Sequence, residues 1–378
     1  MVDEGPRRRD GREAWGIADP DFLELFETAA AETGIEGLVL RADRKGRRWA
    51  VSRKEGREPR AFLAEEDGVR KLRIEEDRRL PGTRLLRKPR RLAALLGLPE
   101  PPPVEVLAWR PFGRAVLRCR IERCALYLKL FTRKGFARVL PGLEALRVLQ
   151  ARLCGLQDPR PPVLCLPLRR FEEEAALLLP EAPGRSLHEV LGARGAFSPE
   201  GLAASLEALH RIPAPDELPS RTFEDERRST LRQLRAGALV DPSLAPLLAI
   251  CESLPLPDPG PGNALVHTDL HDKQIYEEGG AFTWIDIENA ARGDPLCDLV
   301  NLLEHIRLRE LQAGGGPGTG PGEAAWSRAL GIRERDLRVR SLRILVRARL
   351  AGVYAMRPQW QELSARLAAE ALALPEWP

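Results

Sequence analysis

The chain has 378 residues, 43% hydrophobic and 30% charged, enough apolar material for one large two-lobed domain or two modest ones, and it excludes a disordered chain. Lys and Arg number 59 against 55 for Asp and Glu; so small and interspersed an excess gives no argument for a nucleic-acid partner and only a faint one for an anionic ligand. No apolar run reaches bilayer length and no charged start leads into an apolar leader, so the expectation is a cytoplasmic protein without a membrane partner.

The Arg-rich start "GPRRRDGR" reads as a solvated tail. "DPDFLELFETAAAETG" (19–34) predicts a helix, with Asp-Pro at its start, helical spacing of Phe22, Leu25 and Phe26, and a closing Gly. "GLVLRADRKGRRWAVSR" predicts two strands around a Lys-Gly turn, and "VRKLRIEED" another. These make an N-terminal extension, residues 1–103, closed by the stiff "LPEPPPVE"; nothing in it carries evident chemistry. From 104 to 131 the alternation predicts three antiparallel strands with turns near Phe112-Gly113 and Glu122-Arg123. A helix over 141–153 with Pro in its first turn and strands at "PVLCLPL" and "EEAALLLP" complete a small lobe, 104–183. "EAPGRSLHEVL" turns from a linker into a helix, and the remainder, 184–378, is mainly helical, interrupted by the low-complexity "GGGPGTGPGE" at 314–323. That run lacks the Lys-Ser/Thr ending of a phosphate-binding loop. Six cysteines (119, 124, 154, 165, 251, 297) follow neither a C-x-x-C nor a Cys/His grammar and read as reduced, buried thiols.

Chemistry gathers at a few positions. The chain has seven lysines against 52 arginines, and one lysine, Lys129, lies in the apolar strand "ALYLKLF". A compact ammonium on such a face calls for a carboxylate or phosphate partner, although an edge-strand gatekeeper would have the same look. Between Glu122 and Asp158 the only acid is Glu144, on the following helix, so a buried Lys129–Glu144 pair aimed at a ligand phosphate is expected. "LVHTDLHDKQI" then places Asp269 after an apolar strand with an oxygen ligand, Gln274, five residues on; "FTWIDIE" interrupts a second strand with Asp286. Transfer of a phosphoryl group to a hydroxyl needs a carboxylate that orients the incoming OH and oxygen ligands that hold magnesium. Asp294 and Asp298, before and within "PLCDLVNLLEHI", read first as helix caps.

"HTDLHDKQ" followed by "IDIENAARGDPLCDL" resembles the two-part signature of the aminoglycoside phosphotransferase and choline kinase-like family, H-G-D-x-x-x-x-N and I-D-x-[DE]-x-x-x-x-G-D-P-x-x-D-[LV]. The resemblance spans about residues 105 to 310, with Lys129, Glu144 and the hinge-like "LLLPEAPGRSL" in the family's order. It implies an α+β, protein-kinase-like fold: a small antiparallel β lobe that binds ATP over a larger helical lobe, here carrying an N-terminal α/β extension. It implies that Lys129 holds the α and β phosphates, oriented by Glu144. Asp269 is then the catalytic aspartate, Gln274 and Asp286 hold Mg2+, His267 supports the catalytic loop and Asp298 braces it. The backbone near Glu181 and Ala182 receives the adenine, and Arg114 supplements the nucleotide loop. Thr268 stands where the family has Gly, Gln274 where it has Asn, and "RPFGRA" is poor in glycine. His271 and Gln274 also match the H-x-D-x-H-x-x-Q loop of maltokinase-type enzymes. The implied activity is phosphorylation of a hydroxyl on a small molecule, either a sugar, an amino alcohol or an aminoglycoside-like compound. The balanced charge of the helical lobe does not favour a polycation, and the rival reading is a degenerate, nucleotide-binding regulatory module. Protein partners are not legible.

Overall fold

The computed structural model describes the chain outside residues 1–16, 18, 43–46, 53–58, 123, 155–161, 193–198, 258–261, 314–321, 334 and 375–378. The Arg-rich start, the Lys45-Gly46 turn, Arg123 of the second small-lobe turn and most of the glycine-rich run therefore lie outside the described residues. Helix α1 (Pro20–Thr33) opens where the Asp19 carboxylate accepts from the Phe22 N–H, and turns Phe22, Leu25, Phe26 and Ala29 inward. Strands β1 (Leu38–Ala42), β2 (Arg48–Ser52), β3 (Arg60–Glu65) and β4 (Gly68–Leu72) form an antiparallel sheet in chain order, and helix α2 (Pro89–Leu96) follows. Strand β3 has no counterpart in the sequence reading. Its Ala61, Phe62 and Leu63 are all buried, so both faces of the strand are covered and the alternation that betrays a half-exposed strand is absent.

The small lobe is a five-stranded antiparallel sheet. It comprises β5 (Val104–Arg110), β6 (Arg114–Ile121), β7 (Cys124–Phe131), β9 (Arg169–Phe171) and β10 (Ala176–Pro180), ordered β5-β6-β7-β10-β9, with the short β8 (Val163–Leu164) joining the other lobe. Helix α3 (Arg133–Cys154) crosses it and begins eight residues before the expected start, with Pro141 inside the helix. Phe136, Val139, Leu143 and Leu146 fall on its inward face, and that apolar stripe outweighs the lost proline hydrogen bond.

The second lobe is mainly helical. After β11 (Arg185–Ser186) come α4 (Leu187–Gly192), α5 (Pro199–His210), α6 (Phe223–Val240) and α7 (Ala245–Ser253). Short strands then frame the polar stretch: β12 (Ala264–Val266) pairs with β15 (Ala291–Gly293), and β13 (Ile275–Glu278) with β14 (Ala281–Trp284). Helices α8 (Leu296–Gln312), α9 (Glu323–Ala329), α10 (Leu337–Ala355) and α11 (Gln361–Leu372) close the lobe. The result is an α+β, two-lobed architecture, a small β lobe over a larger helical one. Among the described residues no helix is long and apolar enough to cross a membrane.

Candidate active site

Strand β12 delivers the chain into the loop His267–Thr268–Asp269, and the loop is held by a carboxylate from another element. Asp298, in the first turn of α8, accepts from the His267 N–H at 2.7 Å and the Thr268 N–H at 3.0 Å, and lies 3.2 Å from His210 Nε2. It therefore braces the loop rather than capping its own helix; Asp294 is the cap, accepting from Leu296 N–H at 2.9 Å. The brace has strain to contain. Thr268 has φ 71°, a left-handed conformation that costs a β-branched residue roughly 1–3 kcal/mol and explains why the related signature carries Gly there. The Thr268 hydroxyl donates to the Asn289 carbonyl at 3.1 Å, and His267 Nε2 donates to the Ile285 carbonyl at 2.7 Å. With both flanks tied down, Asp269 is left exposed at the loop's crest.

Lys129 reaches this loop's neighbour from the opposite lobe. Its ammonium, on a residue only 8% exposed, donates to Asp286 Oδ1 at 2.5 Å and to both Glu288 carboxylate oxygens at 2.8 Å. Burial alone would discharge the amine, but Glu288 and Asp286 together hold it above its usual range. Burial likewise opposes the Asp286 charge, and Lys129 with help from Arg114 keeps that carboxyl below the usual range. Asp286 sits at φ 60° in a turn leaving β14, a second strained non-glycine residue at the same site.

The expected Lys129–Glu144 pair does not form. Glu144 follows Leu143 on α3 and so points about 100° away from the inward stripe; its side chain is 62% exposed and lies 3.9 Å from Arg170. Glu288 takes the place assigned to it. The signal was in the sequence, since Glu288 occupies the [DE] of I-D-x-[DE], but a rule based on the nearest downstream acid passes over a residue 159 positions away.

Gln274 fits a metal-ligand role. Its backbone is fixed by bonds to His271 and Ile285, its side chain is buried, and its amide Oε1 has no hydrogen-bond partner. A buried acceptor left unpaired beside a loop of carboxylates suits a hard cation, and Mg2+ prefers such oxygen ligands. Asp272, two residues earlier, is fully buried and serves structure. It accepts from Arg309 Nε at 2.7 Å and lies 2.7 Å from His188 Nδ1, joining α4, the loop and α8; these partners hold its carboxyl low against burial.

The β5–β6 turn and the hinge after β10, where the family resemblance expects the nucleotide, frame the other side of the site. Arg114, exposed at the start of β6, pairs across the turn with Arg110, while Phe112 at the tip has φ 61°. Asp77 of the extension holds this glycine-poor turn, accepting from Phe112 N–H at 2.7 Å and Trp109 Nε1 at 3.2 Å. Glu181 and Ala182 follow β10, and the Glu181 carboxylate accepts from Ala125 N–H at 3.0 Å. Just beyond, Gly184 has φ 80° and a Cβ there would lie 2.0 Å from the Glu277 carbonyl oxygen, so the hinge passes β13 closer than any other residue allows.

A model of the phosphotransferase enzyme family matches residues 112–338. The GDP complex of wild-type aminoglycoside 2'-phosphotransferase-IIIa superposes with TM-score 0.52 at 14% identity, over 76% of this chain and 98% of that one. The GDP complex of a point mutant of aminoglycoside 2'-phosphotransferase-IIIa gives TM-score 0.51 at 15% identity, over 76% and 97%. A choline/ethanolamine kinase family protein from Mesorhizobium loti gives 0.46 at 16% identity, over 77% and 95%. At these identities the first two likenesses are likenesses of fold, the two-lobed kinase-like fold. No curated protein sequence matches the chain significantly.

Proposed function

Because the chain belongs to the phosphotransferase enzyme family, we propose that it is an ATP- and Mg2+-dependent kinase that transfers the γ-phosphoryl group to a hydroxyl of a small molecule. The observation that carries this reading is the buried Lys129 ammonium held between Asp286 and Glu288 at 2.5–2.8 Å, with the exposed Asp269 and the unpartnered Gln274 oxygen in the adjoining loop. Lys129 and Arg114 receive the nucleotide phosphates, and the backbone at Glu181 and Ala182 receives the adenine. Gln274 and Asp286 hold Mg2+, which when bound neutralises charge on the phosphates. Asp269 orients the acceptor hydroxyl and takes its proton as the oxygen–phosphorus bond forms and the bond to the β-phosphate bridging oxygen breaks, the electron pair leaving with ADP. Catalysis is then mainly positioning and electrostatic stabilisation, in keeping with a strained Thr268 backbone held by Asp298 and an Asp286 carboxylate held by Lys129.

The test is transfer of labelled γ-phosphate from ATP with Mg2+ across sugars, amino alcohols, aminoglycosides and phosphorylated or carboxylated polyols. Transfer abolished by Asp269→Asn supports the reading. Tight nucleotide binding with neither transfer nor slow ATP hydrolysis would replace it with a regulatory nucleotide-binding module.

A further inference from the structure

The extension is built into the site rather than appended to it. Its sheet has two buried faces: Trp49, Val51, Ala61 and Leu63 pack with Val106, Trp109 and Leu117 of the small lobe, while Leu38, Leu40, Ala50 and Phe62 pack with Phe22, Leu25 and Phe26 of α1 and with Val240 and Met356 of the helical lobe. Two contacts fix where the end of β1 lies. Leu40 N–H donates to the Met356 carbonyl at 2.7 Å, and Arg41 and Arg357 are the residues that follow the two partners of that bond. Arg47, just before β2, stacks its guanidinium 4.9 Å from the centre of the Phe112 ring at the tip of the nucleotide turn. Arg41 therefore stands between the end of α10 and the β5–β6 turn, where Arg110 and Arg114 face each other as cross-strand partners.

Arg41, Arg110, Arg114 and Arg357 form no ion pair with a carboxylate among the described residues, and the Arg357 Nε is buried without a hydrogen-bond partner. Arg110 and Arg114 are exposed and Arg41 and Arg357 half-buried, whereas the buried Arg343 and Arg347 both reach Glu304 at 2.6 Å and Arg309 reaches Asp272 at 2.7 Å. Burial, then Arg110, Arg357 and Arg114, push Arg41 down to about 9, and burial, then Arg114 and Arg232 of α6, hold Arg110 below its usual range, with Asp269 opposing. Arg110 and Arg114 stand on the sheet face that carries Lys129 to the catalytic loop, because Arg114 is two residues from Val116, the cross-strand partner of Lys129, and like charges gathered there are unfavourable until an anion enters. Of the site's carboxylates, Asp286 and Glu288 are already engaged by Lys129, and Asp269 is exposed.

We propose that the phosphate acceptor is itself an anion, a small molecule carrying a phosphate or carboxylate besides the hydroxyl to be phosphorylated. Its charge is received by Arg41 of the extension together with Arg357 and Arg110. This rests on the phosphotransferase reading, with Arg114 left to the nucleotide. The extension thereby forms one wall of the acceptor site. A polycationic acceptor is excluded, because the same arginines repel it.

The experiment uses the full chain saturated with Mg·AMP-PNP, titrated calorimetrically with inorganic phosphate, glycerol 3-phosphate, glucose 6-phosphate and gluconate, and in parallel with glycerol, glucose and kanamycin. The expected result is binding of anions only, weakened about tenfold or more by Arg41→Gln and by Arg357→Gln, while AMP-PNP affinity stays within about twofold. Arg41→Gln should also raise the melting temperature of the ligand-free protein, since it removes repulsion; a merely structural arginine would lower it. Binding of AMP-PNP without binding of any anion overturns the acceptor class alone. Variants that weaken AMP-PNP and spare the anions overturn it too, by assigning the arginines to the nucleotide. Failure of AMP-PNP to bind at all overturns the acceptor class and the phosphotransferase reading together.

Discussion

Lys129 sits in a cage whose two carboxylates approach from one direction, within 2.8 Å, and this geometry governs substitution. A guanidinium is planar, longer and forked, so Lys129→Arg has to displace Asp286 or Glu288 to fit. Lys129→Arg should raise the nucleotide KM and lower kcat at least tenfold, nearly as far as Lys129→Ala, in steady-state assays. The histidines near the loop give a prediction in pH. His271 and His305 stack with ring centres 4.8 Å apart. Burial pushes His305 well below its usual range, with His271, Arg349 and Arg309 adding to burial and Asp272 opposing; burial lowers His271 too. A base with a lowered folded value takes up its proton on unfolding, so stability is complete above the unfolded value of about 6.5 and is lost as pH falls below it. The urea midpoint should therefore fall between about pH 7.5 and about pH 5.5, and His305→Leu should flatten that slope. At this scale Asp269, Gln274 and Asp286 stand out in the sequence as oxygen groups beside or within apolar strands, whereas the bracing place of Asp298 comes only with the family resemblance, its position in the helix reading first as a cap. The sequence did not carry Lys129's true partner or the arginine cluster, since both are contacts between residues far apart in the chain and an arginine in an arginine-rich sequence has no local mark.

Elements meet closely at two places that single residues decide. Helices α6 and α10 cross at Gly237 and Gly352, where a Cβ on Gly352 would lie 2.6 Å from the Gln233 carbonyl oxygen and 2.7 Å from Leu234 Cα. The backbone cannot yield cheaply there, so Gly352→Ala should lower unfolding stability by about 1–3 kcal/mol in urea melts, although alanine favours helix elsewhere. The β5–β6 turn depends on Asp77 in place of glycines: with its two hydrogen bonds removed, the left-handed Phe112 loses the partner of its N–H and keeps only the arginine stacking on its ring. Asp77→Ala should raise the nucleotide KM several-fold with kcat largely preserved, by kinetics over a range of ATP. Element boundaries were legible where a cap and an apolar stripe coincide, as at Asp19 and Phe22 of α1. They were lost where a rule about one residue type opposed the stripe, as at Pro141 within α3, and where burial on both faces erased alternation, as in β3.

For the whole molecule, the extension's sheet packs one face on the small lobe, and α1 covers the other together with Val240 and Met356 of the helical lobe. A sequence can announce that such a segment folds, but not that its two faces have different hosts. The Asp298-braced loop and the Lys129 cage both fit the proposed division of labour, in which Asp286 would serve the nucleotide and its metal and Asp269 the acceptor. The most direct test needs no knowledge of the acceptor: calorimetric titration of Mg·AMP-PNP into the wild-type protein, Asp269→Asn and Asp286→Asn. The account predicts that Asp269→Asn binds within about twofold of wild type, because its carboxylate touches the nucleotide little, and that Asp286→Asn binds at least about tenfold more weakly, a loss of about 1.4 kcal/mol or more. Equal affinity for all three proteins, or a loss confined to Asp269→Asn, would contradict it.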